Sequence, residues 1–455
     1  MPTIPQPVSN RRIGFHYYPD TLHFRQIDLQ YWLPVLKSLG ASWLTIHTPL
    51  GRAIPEFFIQ NLIQEGIEPV LQFQTSIKSQ DLKEPLNLLL ETYRKWGIHY
   101  ISFLEKPNLR SSWSTAAWIH FDLVEKFLDI YLPLANLALN IGLLPIFPSL
   151  EPGGDYWDLV FLQSSLRSLQ RRNQNQVLDS LLVGADASVR HSITEWGSGG
   201  PDEWPTSIPY FTPEDSQDQR GFFIFDWYSS VIKHELSEEK PIFLFRAGFP
   251  VEKYETDLQK TKALSNHSSL NLQLFEFLLG ISQRSILPRV PENVVACNFW
   301  LLTSDYDNPE RSQAWIQPDG VRLPVVDAIS KYVNSQPSCH YLELFKPDTS
   351  KHIGKNGRNE NQLSFLDHYL LLPLYNWGVA EWDLETIRPF LIKNHPTLGF
   401  SLEEAINFRH VTFLETKNNQ NSNVLQKLLS AGCIVDRMMT DGTIVASSSI
   451  TDQNS

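Results

Sequence analysis

The chain has 455 residues, of which 42% are hydrophobic and 19% are charged, so it has enough apolar material for a buried core and lacks the composition of a disordered protein. A single compact core rarely extends over this length, and two domains are therefore predicted. The net charge of -12 would repel a phosphate backbone, which argues against a nucleic-acid partner.

Three cysteines lie far apart in the sequence and match neither a disulfide framework nor the paired spacing of a zinc site. His16 and His47 have no further ligand at the usual metal spacing, so no metal is expected. The N-terminal segment contains no apolar signal region, and no run of apolar residues is long enough to cross a membrane. A cytoplasmic protein without membrane contact is predicted.

Eight short apolar segments have strand character, with helical periodicity between them. The strands are expected at residues 13–18, 43–48, 69–74, 100–104, 143–147, 181–185, 241–245 and 294–302. Alternating strands and helices indicate a parallel sheet, and eight units favour closure into an α/β (β/α)₈ TIM barrel. Glycine-rich phosphate-binding motifs do not follow the first strand, so no nucleotide or other cofactor is expected.

Polar side chains follow several of these strands at their carboxyl ends, where a barrel builds its active site. The candidate pocket residues are His16, Tyr17, His47, Gln72, Gln74, Glu105, Asp186 and Arg246. A single polar residue at a strand end is also explained by its exposure to solvent, without any role in a site. Together, however, they predict a polar pocket at the barrel mouth.

The composition changes after the eighth unit. Residues 346–362 are polar, contain glycine and lack periodicity, which is typical of a linker. The predicted organisation is a barrel over 1–345, a linker over 346–362 and a small α/β module over 363–455. No function is predicted for this module beyond docking to the barrel or to a protein partner.

Two segments resemble motifs of the clan A glycoside hydrolases. Residues 101–109, Ile-Ser-Phe-Leu-Glu-Lys-Pro-Asn-Leu, resemble the fourth-strand Asn-Glu-Pro-Asn motif, and alignment on Pro107 and Asn108 puts Lys106 at the acid/base position. Lys106 and Asn108 are therefore also predicted to bind ligand in the pocket. Residues 240–248, Lys-Pro-Ile-Phe-Leu-Phe-Arg-Ala-Gly, resemble the seventh strand ending in Thr-Glu-Ala-Gly, with Arg246 at the nucleophile position. Residues 147–158 and 294–300 resemble the fifth and eighth strand ends, the latter with Trp300 as an aromatic platform.

The resemblance covers about residues 12 to 335 and implies a glycoside-hydrolase-like barrel with a carbohydrate ligand. An arginine cannot attack an anomeric carbon, and a lysine is no substitute for a protonated carboxylic acid. We therefore predict a catalytically degenerate barrel that binds a carbohydrate. Lys106 and Arg246 would make the mouth positive and favour an anionic sugar. An ion pair between Arg246 and Glu105 is the structural alternative.

A second hypothesis is an active O-glycosyl hydrolase that uses displaced carboxylates. A shift of one residue would bring Glu105 into the site, because side chains alternate along a strand. Residues 193–197, Ile-Thr-Glu-Trp-Gly, resemble the nucleophile motif out of position and make Glu195 the second candidate, although a loop is expected there. A retaining pair requires a carboxyl separation of about 5 Å and an inverting pair about 6.5 to 9.5 Å. An unrelated barrel enzyme is the remaining possibility.

Overall fold

The computed structural model describes residues 4–73, 77, 83–119, 122–189, 193–279, 290–335, 368–373, 381–394, 396–399, 402–406, 408–415, 422–439 and 443–448. Gln74 and the linker predicted at 346–362 lie outside these residues. The domain boundaries therefore stay predictions.

Eight parallel strands close into a barrel in sequence order, which confirms the predicted fold. They are β1 (Ile13–His16), β2 (Trp43–Thr48), β3 (Glu68–Phe73), β4 (Tyr100–Phe103), β5 (Leu144–Leu150), β6 (Leu182–Ser188), β7 (Ile242–Gly248) and β8 (Val294–Phe299). The barrel closes between β1 and β8, where Phe15 pairs with Phe299. Strands β5, β6 and β7 extend about three residues beyond their apolar runs, so polar residues also belong to the sheet.

Helices surround the barrel and bury their apolar faces against it. They are α1 (Gln26–Ser38), α2 (Glu56–Gln64), α3 (Lys83–Lys95), α4 (Thr115–Trp118), α5 (Leu123–Ile141), α6 (Asp158–Arg171), α7 (Asn175–Asp179), α8 (Gly200–Glu203), α9 (Ile224–Leu236), α10 (Asp257–Leu279) and α11 (Pro324–Ser335). No described helix combines the length and the apolarity that a bilayer crossing requires. The cytoplasmic location stays a prediction.

Two apolar clusters result from the alternation of side chains along each strand. The larger cluster fills the layer between the strands and the helices, with residues such as Phe15, Ile46 and Phe147. The smaller cluster fills the lower barrel interior, where Trp43 contacts Tyr100 and Phe243 edge to face. Along β2, for example, Thr45 and His47 lie two and four positions beyond Trp43 and therefore face the barrel mouth.

The C-terminal residues form a separate sheet in the order β10-β9-β11-β12-β13. Its strands are β9 (His368–Leu371), β10 (Thr397–Gly399), β11 (His410–Glu415), β12 (Ile434–Met439) and β13 (Ile444–Ser448), and its helices are α12 (Glu381–Asn394), α13 (Leu402–Ala405) and α14 (Ser422–Ser430). The predicted α/β module is confirmed. The sequence interpretation missed β13, which pairs antiparallel with β12 and has a short, serine-rich sequence with little strand character.

Strand β10 contacts the barrel through its backbone. The Ala53 N–H in the loop after β2 donates to the Leu398 carbonyl at 3.0 Å, and Arg52 forms an antiparallel bridge with Gly399. The C-terminal sheet therefore contacts the barrel at the carboxyl end of β2, on the same rim as the candidate site.

Candidate functional site

A pocket of about 390 Å³ opens at the carboxyl ends of strands β4 to β8. This volume lies within the usual range for small-molecule sites. Its lining residues are Lys106, Glu151, Asp186, Ser188, Val189, Arg246, Ala247, Gly248, Pro250, Trp300 and Gln313. Four predicted site residues, Lys106, Asp186, Arg246 and Trp300, are therefore brought together in one pocket.

Lys106 forms the centre of a charged cluster in the pocket. Its Nζ lies 2.6 Å from Glu151 Oε2 and 3.1 Å from Asp186 Oδ2. Asp186 is only 2% exposed, and its Oδ1 accepts hydrogen bonds from the Ser188 amide at 3.0 Å and the Ser188 hydroxyl at 2.6 Å. The ammonium thus bridges two carboxylates, one of which is held rigidly at the end of β6.

The end of β4 directs Lys106 into the pocket. Leu104 and Lys106 both have positive φ angles, 65° and 45°, which non-glycine residues rarely adopt. These two residues break the alternation of the strand, so that Glu105 is exposed while Lys106 lines the pocket. The alternative register with Glu105 in the pocket is therefore wrong.

Asn108, predicted to bind ligand, is instead a structural residue. It is fully buried, and its side-chain amide donates to the carbonyls of Glu151 at 2.8 Å and Tyr156 at 3.0 Å. Its Oδ1 accepts from the Glu151 amide at 2.8 Å. Because its side-chain amide is hydrogen-bonded to backbone groups, Asn108 connects the end of β4 to the loop after β5 and positions Glu151.

A β-bulge brings Arg246 to the mouth. The pairing of β6 with β7 shifts between Ala185 and Asp186, and Phe245 and Arg246 consequently both face the interior. Arg246 Nη2 lies 2.7 Å from Glu310 Oε1, so Glu310, and not Glu105, is its ion-pair partner. The guanidinium also lies over the Trp300 ring, 4.0 Å from the centroid. One face of the predicted sugar platform is therefore covered by Arg246.

His16, His47 and Gln72 are buried on β1, β2 and β3 beside this pocket. The His16 ring contacts Trp300 at 4.8 Å between centroids and His47 at 6.1 Å. Burial is the main reason why the pKa of His16 lies well below its usual range. Repulsion from His47 is the second reason, and Arg246 and Lys106 lower this pKa further. Burial likewise lowers the pKa of His47, against the attraction of Glu105 and Asp20. His16 is therefore neutral at physiological pH.

Several polar atoms in this part of the barrel have no hydrogen-bond partner among the described residues. His16 Nε2 donates to the Phe245 carbonyl, which leaves Nδ1 as an acceptor without a partner. Gln72 Oε1 and Trp300 Nε1 are also unpartnered within the described chain. Buried polar atoms without partners are uncommon and cost about 1 to 3 kcal/mol each, so a cluster of them often marks a functional site.

Tyr17, another predicted pocket residue, points away from the mouth. It is 1% exposed and packs against Trp32 and Phe58 in the layer between strands and helices. Its neighbour His16 faces the interior, and consecutive residues of a strand face opposite sides. The prediction for Tyr17 was therefore wrong.

Glu195 lies on an exposed turn after β6, as expected for a loop residue. Its carbonyl accepts from the Ser198 amide at 3.0 Å. In the described part of the chain, neither Glu195 nor Glu105 belongs to the pocket lining. The proposed displaced pair is therefore not assembled in this pocket.

Both cations at the mouth are paired with carboxylates, and the three carboxylates outnumber the two cations. Lys106 is matched by Glu151 and Asp186, and Arg246 is matched by Glu310. The prediction of a positive pocket counted Lys106 and Arg246 without the carboxylates that pair with them, and it is wrong. The structural reason for expecting an anionic sugar is therefore removed.

Two acidic residues were missed by the sequence interpretation. Glu151 directly follows β5 and could have been found by applying the rule of strand carboxyl ends to this strand. Glu310 lies eleven residues beyond the end of β8, and no local pattern connects it with Arg246.

No protein-family model matches the chain, and none of the curated proteins matches it. Among solved structures it is similar to a monomeric beta-xylosidase from Caulobacter crescentus, with 14% identity, a TM-score of 0.45 and coverage of 73% of this chain and 69% of that one. It is also similar to a GH39 enzyme from Xanthomonas axonopodis pv. citri, with 13% identity, a TM-score of 0.43 and coverage of 72% and 67%. A GH2 beta-galacturonidase from Eisenbergiella tayi bound to galacturonate has 10% identity, a TM-score of 0.45 and coverage of 71% and 51%. Likenesses this distant carry no argument about activity.

Proposed function

We propose that the barrel mouth binds a carbohydrate without hydrolysing it. The proposal depends on Lys106, whose Nζ bridges Glu151 and Asp186 in the pocket. A glycosidase needs one carboxylic acid that delivers a proton and a second carboxylate that attacks the sugar or activates water. Here both pocket carboxylates are bound to the same ammonium, so neither is available for these roles.

The resemblance of the strand motifs to clan A enzymes supports a sugar as the ligand. The three carboxylates that pair with Lys106 and Arg246 favour a neutral sugar over an anionic one. Partly exposed polar groups of Lys106, Glu151 and Ser188 line the cavity. The acceptors His16 Nδ1 and Gln72 Oε1 and the donor Trp300 Nε1 lie buried beside it. Sugar hydroxyls, which both donate and accept, are suited to such a mixed set of groups.

Calorimetry on the full chain tests binding. The probes are neutral xylo-, gluco- and galacto-oligosaccharides and the matching uronic-acid oligosaccharides. We expect at least one neutral oligosaccharide to bind more tightly than its uronic-acid counterpart. Arg246→Ala should abolish that binding, while Arg167→Ala, in an exposed ion pair with Glu235, should leave it unchanged. Failure of the whole panel, or preference for the acids, would contradict the proposed ligand.

Turnover is tested separately on aryl glycosides. We expect no release of the aryl group above background, because groups that supply acid, base and nucleophilic catalysis contribute orders of magnitude in rate. Turnover lost in Glu151→Gln or Asp186→Asn would establish a hydrolase built on the pocket carboxylates. Turnover lost in Glu105→Gln or Glu195→Gln would establish the displaced pair. Gain of activity in the double variant Lys106→Glu and Arg246→Glu would support the motif alignment.

A further inference from the structure

A second cluster of ionisable side chains lies on the rim of the barrel, outside the pocket lining. Asp20 and His23 lie in the loop between β1 and α1, and Asp305 lies in the loop after β8. Because β1 pairs with β8, the two loops are neighbours. The His23, Asp20 and Asp305 ligand atoms all lie within 4.8 Å of one another.

The distances within this cluster suit a small cation. His23 Nε2 lies 3.0 Å from Asp305 Oδ2 and 3.3 Å from Asp20 Oδ2. Zinc binds imidazole nitrogen and carboxylate oxygen at about 2.0 to 2.2 Å, so two ligands of a tetrahedral ion are roughly 3.3 Å apart. The two separations from His23 are therefore close to those of a bound ion, and the two carboxylate oxygens lie within 4.8 Å of each other.

Neighbouring groups hold two of the three side chains in place. The His23 ring stacks on Tyr18, with 3.6 Å between centroids and an interplanar angle of 14°. Asp20 Oδ1 accepts from the Leu22 amide at 2.8 Å, so Oδ2 is the oxygen directed at His23. Contacts that orient metal ligands in this way strengthen metal binding in proteins.

The cluster also carries excess negative charge and is open to solvent. Asp20 and Asp305 form ion pairs with His23, and no lysine or arginine among the described residues pairs with either carboxylate. The side chains of His23, Asp20 and Asp305 are 16%, 27% and 54% exposed, so an ion has a route of entry. Most other acidic groups near the mouth, such as Glu151 and Glu310, already have a cationic partner.

We propose that Asp20, His23 and Asp305 form a zinc-binding site on the barrel rim. His23 Nε2, Asp20 Oδ2 and Asp305 Oδ2 supply three ligands, and water completes the tetrahedron. Imidazole together with carboxylates favours zinc over magnesium or calcium, which prefer oxygen ligands alone. The ion would connect the first and last loops of the barrel next to the line of closure. This site is independent of the proposed carbohydrate function.

The test is calorimetric titration of the chelator-treated full chain with zinc chloride, together with absorption spectroscopy using cobalt(II) as a tetrahedral probe. We expect one equivalent of zinc per chain at this site and visible cobalt bands of tetrahedral intensity. His23→Ala and Asp305→Asn should each weaken zinc binding at least tenfold and remove the cobalt bands. Asp305→Asn changes an exposed residue, so loss of binding there does not reflect misfolding.

Matched controls separate a specific site from an acidic or thiol-containing surface. Asp307→Asn alters the same loop and His234→Ala removes an exposed histidine, and both should leave affinity and spectrum unchanged. The idea is refuted if zinc does not bind, or if binding survives in both His23→Ala and Asp305→Asn. It is equally refuted if Cys339→Ser abolishes the binding that His23→Ala leaves intact.

Discussion

At the scale of single residues, Lys106 has a role in stability as well as at the site. Its ammonium forms ion pairs with both Asp186, which is 2% exposed, and Glu151. Removing one member of a buried ion pair leaves an unbalanced charge and costs several kcal/mol, less where a partner has some contact with water. Lys106 is 17% exposed, so the partially exposed case applies.

We therefore expect Lys106→Met to lower the free energy of unfolding by about 2 kcal/mol in urea denaturation. The double variant Lys106→Met with Asp186→Asn should regain at least half of this loss, because the buried negative charge disappears. Unchanged stability of Lys106→Met would mean that the bridge contributes nothing to folding.

Asp158 makes folding depend on pH. This carboxyl is fully buried at the start of α6, and burial raises its pKa to about 6, although hydrogen bonds from the Gly153 amide and the Gln219 side chain act in the opposite direction. The unfolded chain releases this proton at a pKa of about 3.9. Between these values the folded state holds a proton that the unfolded state has lost, so this group's contribution to stability falls as pH rises.

The wild-type free energy of unfolding, minus that of Asp158→Asn, should decrease by about 2 to 3 kcal/mol from pH 4 to pH 7. Both proteins are unfolded with denaturant at several pH values. Subtracting the free energy of unfolding of the variant from that of the wild type cancels the contributions of the other carboxyl groups. A difference that stays constant with pH would show that Asp158 titrates normally.

At the scale of elements, the end of β7 requires a glycine. Gly248 has a φ angle of 104°, and a Cβ there would lie 2.7 Å from Asn271 Oδ1. That oxygen accepts from the Phe249 amide at 3.0 Å, so the side chain cannot simply move away. Gly320 also has a positive φ angle, 82°, but its Cβ would meet nothing within 4 Å.

Gly248→Ala should therefore lower the free energy of unfolding by about 3 kcal/mol, whereas Gly320→Ala should cost only about 1 kcal/mol of backbone strain. Chemical denaturation of both variants measures these losses. Because both glycines have positive φ angles, the difference between the two losses is the cost of the steric contact at Gly248. Equal losses in the two variants would contradict a close approach between β7 and α10.

At the scale of the whole molecule, the barrel and the C-terminal sheet have separate cores. The barrel core draws its members from residues 13 to 333, and the C-terminal sheet builds its own from residues after 368. The backbone bond from Ala53 to Leu398 connects the two sheets. This bond and the neighbouring bridge between Arg52 and Gly399 contribute on the order of 1 kcal/mol each, which is small beside the burial of a complete core.

We expect the segment 1–345 to fold without the rest of the chain. Circular dichroism should show a cooperative thermal transition, and a dye for exposed apolar surface should bind the segment no more than the full chain. A segment that melts without cooperativity or binds the dye strongly would mean that the C-terminal sheet is required for the barrel.

The eight strands, their order and the barrel could be predicted from the sequence, because apolar periodicity and strand length are local properties of the chain. The motif alignment also singled out Lys106 and Arg246, which both line the pocket at the barrel mouth. The outward direction of Tyr17 could have been deduced from the sequence, because side chains alternate between the two faces of a strand and His16 faces the interior. The C-terminal sheet was predicted in outline, apart from β13.

Which side chains contact one another depends on the tertiary structure. Glu310 reaches Arg246 from a distant loop, and the amide of Asn108 is taken by the backbone of the segment after β5. Local sequence cannot encode such pairings, because they depend on how independent loops pack on a common rim. The bulge at Phe245 and the positive φ angle of Lys106 then set which strand-end residues face the pocket. The barrel could be predicted from apolar periodicity, but the pairing of charges at its mouth depends on contacts between segments that are far apart in the chain.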